Sequence, residues 1–206
     1  MKLYDHRTGQ VEELPRRLHI HVPSGASRVL VVADLLRRVA QRAKHRPVTV
    51  TRAAAVPVAS AFNVPDLEIA AAPPDAIEVS PASDTSLVVH EATRERTADP
   101  LTMRLAWLRI HHLAPDNVDP HKAESDLASW RRLVADWATA PGRPLNREYV
   151  AEAETALAND LDSPTALAVL DRLIADPDVQ PGAKLETVIH LDMLLALDLV
   201  RDIGRT

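Results

Sequence analysis

Residues 159–173 read Asn159-Asp160-Leu161-Asp162-Ser163-Pro164-Thr165-Ala166-Leu167-Ala168-Val169-Leu170-Asp171-Arg172-Leu173, which is one helix ending, a short break and another helix starting. Ser163 suits the N-cap, because a serine hydroxyl accepts from the free amides of the first turn. Pro164 suits the first helical position, where a missing amide hydrogen costs nothing. Leu167, Leu170, Leu173 and Ile174 recur at steps of three and four and make one apolar stripe. Asp160 and Asp162 sit beside a helix N-terminus, where negative charge is favourable, so capping is the plainer role for both than a catalytic carboxylate pair.

The same pattern recurs on either side. Asp99-Pro100 and Asp119-Pro120 each place a cap before a first-turn proline. Helices are expected over residues 100–113, 120–140 and 147–160, then from Ser163 to the Asp176-Pro177 stop, and finally over 183–203. Leu101, Leu105 and Leu108 mark the first core stripe, and Ala123, Leu127, Trp130, Val134 and Trp137 the second. Leu185, Ile189, Leu194, Leu195 and Leu199 should lie at the centre.

Upstream of Asp99 the period changes. A small hairpin is expected around Thr8-Gly9. Leu18, Ile20 and Val22 alternate with His19 and His21, the period of two that marks a strand. Val29, Val32, Leu36, Val39 and Ala43 share one face of a helix over 28–44, and a second strand follows at 47–51. Strand, turn, helix, strand is a βαβ unit with parallel neighbours and a right-handed crossover. The proline-rich stretch 53–86 leaves room for short strands at 67–70 and 77–79, with another at 87–90. The fold class expected is therefore α/β plus all-α. A reduced Rossmann-like N-terminal half (1–97) is followed by a C-terminal bundle of five helices (98–206).

Composition bounds the function. Of 206 residues 46% are hydrophobic, enough for a sizeable core, and six aromatics leave that core to Ala, Leu and Val. A net charge of −5 lacks the basic footprint of general nucleic-acid binding. With no cysteine there is no disulfide, thiolate metal site or thiol nucleophile. No apolar run is long enough for a membrane span, and the first residues do not read as a signal peptide. A cytoplasmic protein is the expectation.

Three segments carry a family resemblance. Asp99-Pro100-Leu101-Thr102-Met103-Arg104-Leu105 resembles an Asp-Pro-x-Ala-x-Arg-Leu helix, with His112 where the family has a histidine after it. Ala123 to Trp130, followed by Arg131-Arg132, resembles the next helix, and residues 159–173 resemble an Asp-Asp-Leu-Asp-Thr-Pro-x-Ala-Leu run. Residues 1–22 and Ala33-Asp34-Leu35-Leu36-Arg37 look like the opening strands and first helix. The chain thus resembles the cysteinyl-type class I aminoacyl-tRNA synthetases, and particularly the cysteine ligases of mycothiol biosynthesis. That resemblance implies a Rossmann-like ligase fold, ATP as cosubstrate and a cysteine-selecting zinc.

The departures from the family define the functional expectation. A His-Ile-Gly-His type signature should follow the first strand, where imidazoles and helix amides hold ATP phosphates. Here the connection is Pro23-Ser24-Gly25-Ala26-Ser27. The Lys-Met-Ser-Lys-Ser signature falls on Val79, Ser80, Pro81, Ala82 and Ser83, without either lysine, and no Lys or Arg occurs over 53–89. Phosphoryl-centred chemistry without cations is disfavoured. Too few residues separate Val50 from Val79 for a second crossover and an insertion domain.

The leading expectation is a degenerate paralogue without adenylation activity. It would act as a binding or accessory protein with a protein partner or as a homodimer, with no cofactor and no metal. Ser24, Gly25, Ser27 and Arg28 are its ligand-binding candidates; a plain cap at Ser27 is the blander role. The alternative is an ATP-dependent amino-acid ligase with a diverged site built on His19 and His21. Those two share a strand face at a spacing that suits metal ligation, although a polar edge is the plainer reading. tRNA or carrier recognition ranks third. His111 and His112, adjacent on a helix, would point about 100° apart and could not easily share an ion.

Overall fold

The computed structural model describes residues 1–43, 47–53, 59–92 and 99–205. Strands β1 (Lys2–Asp5) and β2 (Gln10–Glu13) pair antiparallel, and Gly9 in the turn adopts φ +69°, a conformation suited to glycine. Strand β3 (Leu18–Val22), helix α1 (Ser27–Arg42) and strand β4 (Val48–Arg52) form the expected unit, with β3 and β4 parallel. The expected helix end at residue 44 and the boundary at 97/98 lie outside the described residues.

Beyond β4 come a 3-10 turn (Ala59–Phe62) and strands β5 (Glu68–Ile69), β6 (Ile77–Ser80) and β7 (Leu87–Val88). They complete a five-stranded parallel sheet in the order β5-β4-β3-β6-β7. Strands expected only as short runs are thus in place. The second part of the Rossmann pattern survives as β6 and β7, although the chain is too short there for helical crossovers. Parallel neighbours ordinarily need a dozen or more connecting residues. Residues 81–86 suffice here because the loop is stitched to itself. Ser80 Oγ accepts from the Ala82 amide at 3.2 Å, Thr85 donates to Ala82 O at 2.9 Å, and Ser86 Oγ accepts from the Glu78 amide at 3.3 Å.

Five helices follow: α2 (Pro100–Leu108), α3 (Pro120–Trp137), α4 (Arg147–Ala158), α5 (Ser163–Ala175) and α6 (Pro181–Leu195). Helix α3 ends at Trp137, short of the expected 140, and three others depart further from expectation. Helix α2 stops at Leu108 because Arg109 is drawn to Asp126 at 2.8 Å and to Asp171, and the following histidines are held by other elements. Helix α6 stops at Leu195 because Asp192 accepts from the amides of Leu197 and Leu199 at 2.7 and 2.8 Å. That folds the chain back over the helix end, with Ala196 at φ 54°. The cap of α5 is Asp162, which accepts from the Thr165 amide at 3.1 Å, while Ser163 is the first helical residue and buried. The buried face of α6 runs through Lys184, Thr187, Val188, Leu191, Leu194 and Leu195. Leu185 only packs against the core edge.

Helix α1 is the centre of the molecule. Its first ten residues, Ser27 through Leu36, are all buried, because the sheet covers one side and α2, α4 and α6 cover the other. One hydrophobic cluster runs from Leu3 to Leu199. Asp34, fully buried on α1, receives Arg104 of α2 at 2.8 Å, Arg37 at 2.6 Å and Arg38 at 2.8 Å. Arg104 also donates to Leu195 O and Phe62 O, both at 2.7 Å. Adjacent on α1, Arg37 and Arg38 thus both serve a buried charge. No helix among the described residues is long and apolar enough to cross a membrane.

Candidate functional site

In an open parallel sheet the ligand crevice lies at the carboxyl ends of the strands, where the strand order reverses. Here that point lies between β3 and β6. It brings together the Pro23–Ala26 turn after β3 and the 81–86 loop after β6, the two places where the family signatures should sit. Both loops are present, but the charged groups are not. Val79 and Ser80 are buried, Pro81 is half-buried, and Ala82 and Ser83 are exposed. The hydroxyls of Ser80, Thr85 and Ser86 are used within the loop itself.

Arg28 is the cation nearest this crevice in sequence, and it faces inward. It is 0% exposed. Its guanidinium donates to Ala114 O and His111 O at 3.0 Å, to His90 O at 3.2 Å and to His112 O at 3.5 Å. Four carbonyls from the loops flanking α2 thus consume a charge expected to meet ligand. Ser27 is buried and does not cap: the cap residue is Ala26, which has no side-chain donor or acceptor. Gly25 is exposed, and Ser24 Oγ is buried without a hydrogen-bond partner. His21 is buried, with Nδ1 2.9 Å from Thr51 Oγ1, and His19 lies 3.6 Å from Asp75. The two histidines share a sheet face, but each is engaged with a different partner.

A second cluster lies where the C-terminal end of the sheet meets the helices. His111 and His112 are not helical, because α2 has already ended. Their rings stack with centroids 4.1 Å apart and an interplanar angle of 35°, so the expectation that they diverge is corrected. Both face Asp160, with Nε2–Oδ2 distances of 3.7 Å for His111 and 3.8 Å for His112. Asp160 is not a cap. Its Oδ1 accepts from the Tyr4 amide at 2.9 Å, and its own amide donates to Lys2 O at 3.0 Å. Burial would raise its carboxyl, but hydrogen bonds from His112 and the Tyr4 amide, with the nearby imidazoles, hold it below the usual range. The ring of His6 stands edge-on to Tyr4, with centroids 4.7 Å apart. Its Nε2 is buried without a partner. The sequence signal was the His111-His112 pair itself, masked by an expected helix five residues longer than α2.

The reversing parallel sheet, its two facing loops and the helical second half define a Rossmann-like α/β scaffold joined to helices. Over about half its length the chain is similar to the mycothiol-pathway cysteine ligases, a cysteinyl-tRNA-synthetase-like family. It is 39% identical over 89 residues to the L-cysteine:1D-myo-inositol 2-amino-2-deoxy-alpha-D-glucopyranoside ligase of Segniliparus rotundus, 42% of this chain and 20% of that one. The enzyme of the same name from Streptosporangium roseum is 34% identical over 111 residues, 50% and 26% of the two chains. That from Streptomyces griseus subsp. griseus is 37% identical over 101 residues, 47% and 24%. The matched stretch thus spans about a quarter or less of those ligases. No protein-family profile matches the chain.

The groups this relationship implies do not fit the residues present. The zinc that the relationship implies is held by thiolates, and the chain has no cysteine. A triphosphate needs cations at the crevice, and Arg28 is committed to carbonyls.

Proposed function

We propose that this chain is a non-adenylating relative of the cysteine ligases, retained as a binding or accessory protein. The observation that carries the reading is Arg28, buried and hydrogen-bonded to four backbone carbonyls at the position where the ligase scaffold would present charge to phosphate. The self-bonded 81–86 loop and the absence of Lys and Arg over 53–89 support it. Stabilising a pentavalent phosphorus depends on such groups. A cytoplasmic setting and a protein partner or second copy belong to the same reading. Edge strand β5 supports the partner, since its Ile69 is 58% exposed. ATP–pyrophosphate exchange across the amino acids, cysteine included, tests the proposal. No exchange above background is expected, and exchange abolished by Ser24→Ala would overturn it.

One observation favours the second reading, an ATP-dependent ligase with a diverged site. Ser24 Oγ is a buried hydroxyl without a partner at the turn where a ligand would lie. Calorimetry with ATP separates the two, because saturable binding lost in Ser24→Ala belongs to the ligase alone.

A further inference from the structure

We infer that His111, His112 and Asp160 form a site for a first-row divalent transition metal of the zinc class. The three offer one ligand atom each, all within 4.8 Å of one another, and they are the group of that kind among the described residues. Tetrahedral bonds of about 2.0–2.1 Å place ligand atoms roughly 3.3 Å apart. The 3.7 and 3.8 Å nitrogen–carboxylate distances close to that with a shift of about half an ångström. Two imidazoles and one carboxylate suit zinc, nickel, copper or iron rather than magnesium or calcium, which take oxygen sets.

The hydrogen bonds around His112 point the same way. Its Nδ1 lies 3.1 Å from Val88 O. A carbonyl only accepts, so that nitrogen carries the proton. Ligating histidines are commonly held in this manner, by a backbone carbonyl on the nitrogen away from the metal. Nε2 then faces acceptors alone, Asp160 O at 3.2 Å and Asp160 Oδ2 at 3.8 Å. A metal ion bound there would meet the Asp160 carboxylate. For His111, Nδ1 accepts a long 3.4 Å hydrogen bond from the Leu113 amide, which ligation through Nε2 gives up as the ring proton moves to Nδ1.

Two further features belong to the same place. Asp160 and Leu161 both adopt left-handed backbone, with φ 54° and 53°, and non-glycine residues pay roughly 1–2 kcal/mol each for it. The Tyr4 and Lys2 hydrogen bonds hold that strained pair and aim the carboxylate at the imidazoles. Beside it, the His6 Nε2 is a buried nitrogen with no partner, within electrostatic reach of His112 and Asp160. His111 and Asp160 keep 33% and 25% side-chain exposure. The fourth coordination position therefore opens toward solvent, as in three-ligand sites that keep a water. The bound ion would clip the α2–α3 connection to the α4–α5 break.

The test is a calorimetric titration of the tag-free full chain with zinc chloride, paralleled by cobalt(II) absorption. One ion per chain is expected, with the intense visible bands of tetrahedral cobalt. Asp160→Asn and His111→Gln should each weaken uptake at least about tenfold, while the double variant His19→Ala, His21→Ala should bind as the parent does. Far-UV circular dichroism verifies that each variant is folded. On the parent chain, cobalt should shift the His111 and His112 ring protons before any others in an NMR titration, which needs no variant. Absence of saturable uptake, unchanged affinity in the Asp160 and His111 variants, or first shifts at His19 and His21 would each overturn the assignment.

Discussion

Asp34 shows how single residues carry this fold. Its carboxylate is fully buried among three guanidiniums, and Arg104 opposite is equally buried. Burial alone would raise the carboxyl, but Arg104, Arg38 and Arg37 outweigh it and hold Asp34 below the ordinary carboxylate range. Removing one partner leaves uncompensated buried charge. Asp34→Asn should therefore cost about 3–5 kcal/mol, read as a lower urea midpoint. The pH dependence follows from the sign of the shift. A depressed folded pKa contributes stability that is present above the unfolded value of about 3.9 and lost as pH falls through the folded value. Asp5 and Asp160 act in the same direction. Asp192, raised by burial, acts oppositely. The urea midpoint of the parent chain should fall between about pH 5 and pH 2, and Asp34→Asn should flatten that slope.

At the scale of elements, boundaries are set by a few side chains that can be tested singly. Asp162→Ala removes the α5 cap bond to Thr165 and should cost about 1 kcal/mol. Ala196→Gly should do the reverse. Ala196 ends α6 in left-handed backbone, and glycine there should raise stability by about 1 kcal/mol in thermal or urea unfolding. These elements were largely readable in the sequence, because Asp-Pro pairs, apolar stripes and the alternation over Leu18, Ile20 and Val22 are local signals. The ends of α2 and α6 were not. The first is fixed by residues answering to distant chain, as Arg109 answers to Asp171 and His112 to Val88 O, and the second by Asp192 turning the following residues back over the helix end. The candidate site was hidden for the same reason. Asp160 looks like a cap to its neighbours in sequence and becomes a partner of His111 only when two connections meet. Arg28 likewise reads as a ligand group until four carbonyls are seen around it.

At the scale of the whole molecule, the α/β and helical halves share one buried helix. Residues on α1 reach β3, β6, α2, α4 and α6, and Arg38 donates to both Asn63 O and Met193 O. An isolated fragment ending at residue 97 would expose the helix-facing side of α1 and leave Asp34 without Arg104. Expressed alone, it should lack a cooperative unfolding transition, whereas co-expression with 98–206 should restore one in a complex of the two pieces. Cooperative melting of the fragment by itself would contradict that dependence.

The hairpin that opens the chain carries this dependence into synthesis. Lys2 and Tyr4 also hydrogen-bond to Asp160, so these hairpin residues meet that partner only after the long stretch between them has been made. Nascent chains stalled short of the Asp160 codon should show a protease-sensitive N-terminus, and those released beyond the α4–α5 break a protected one.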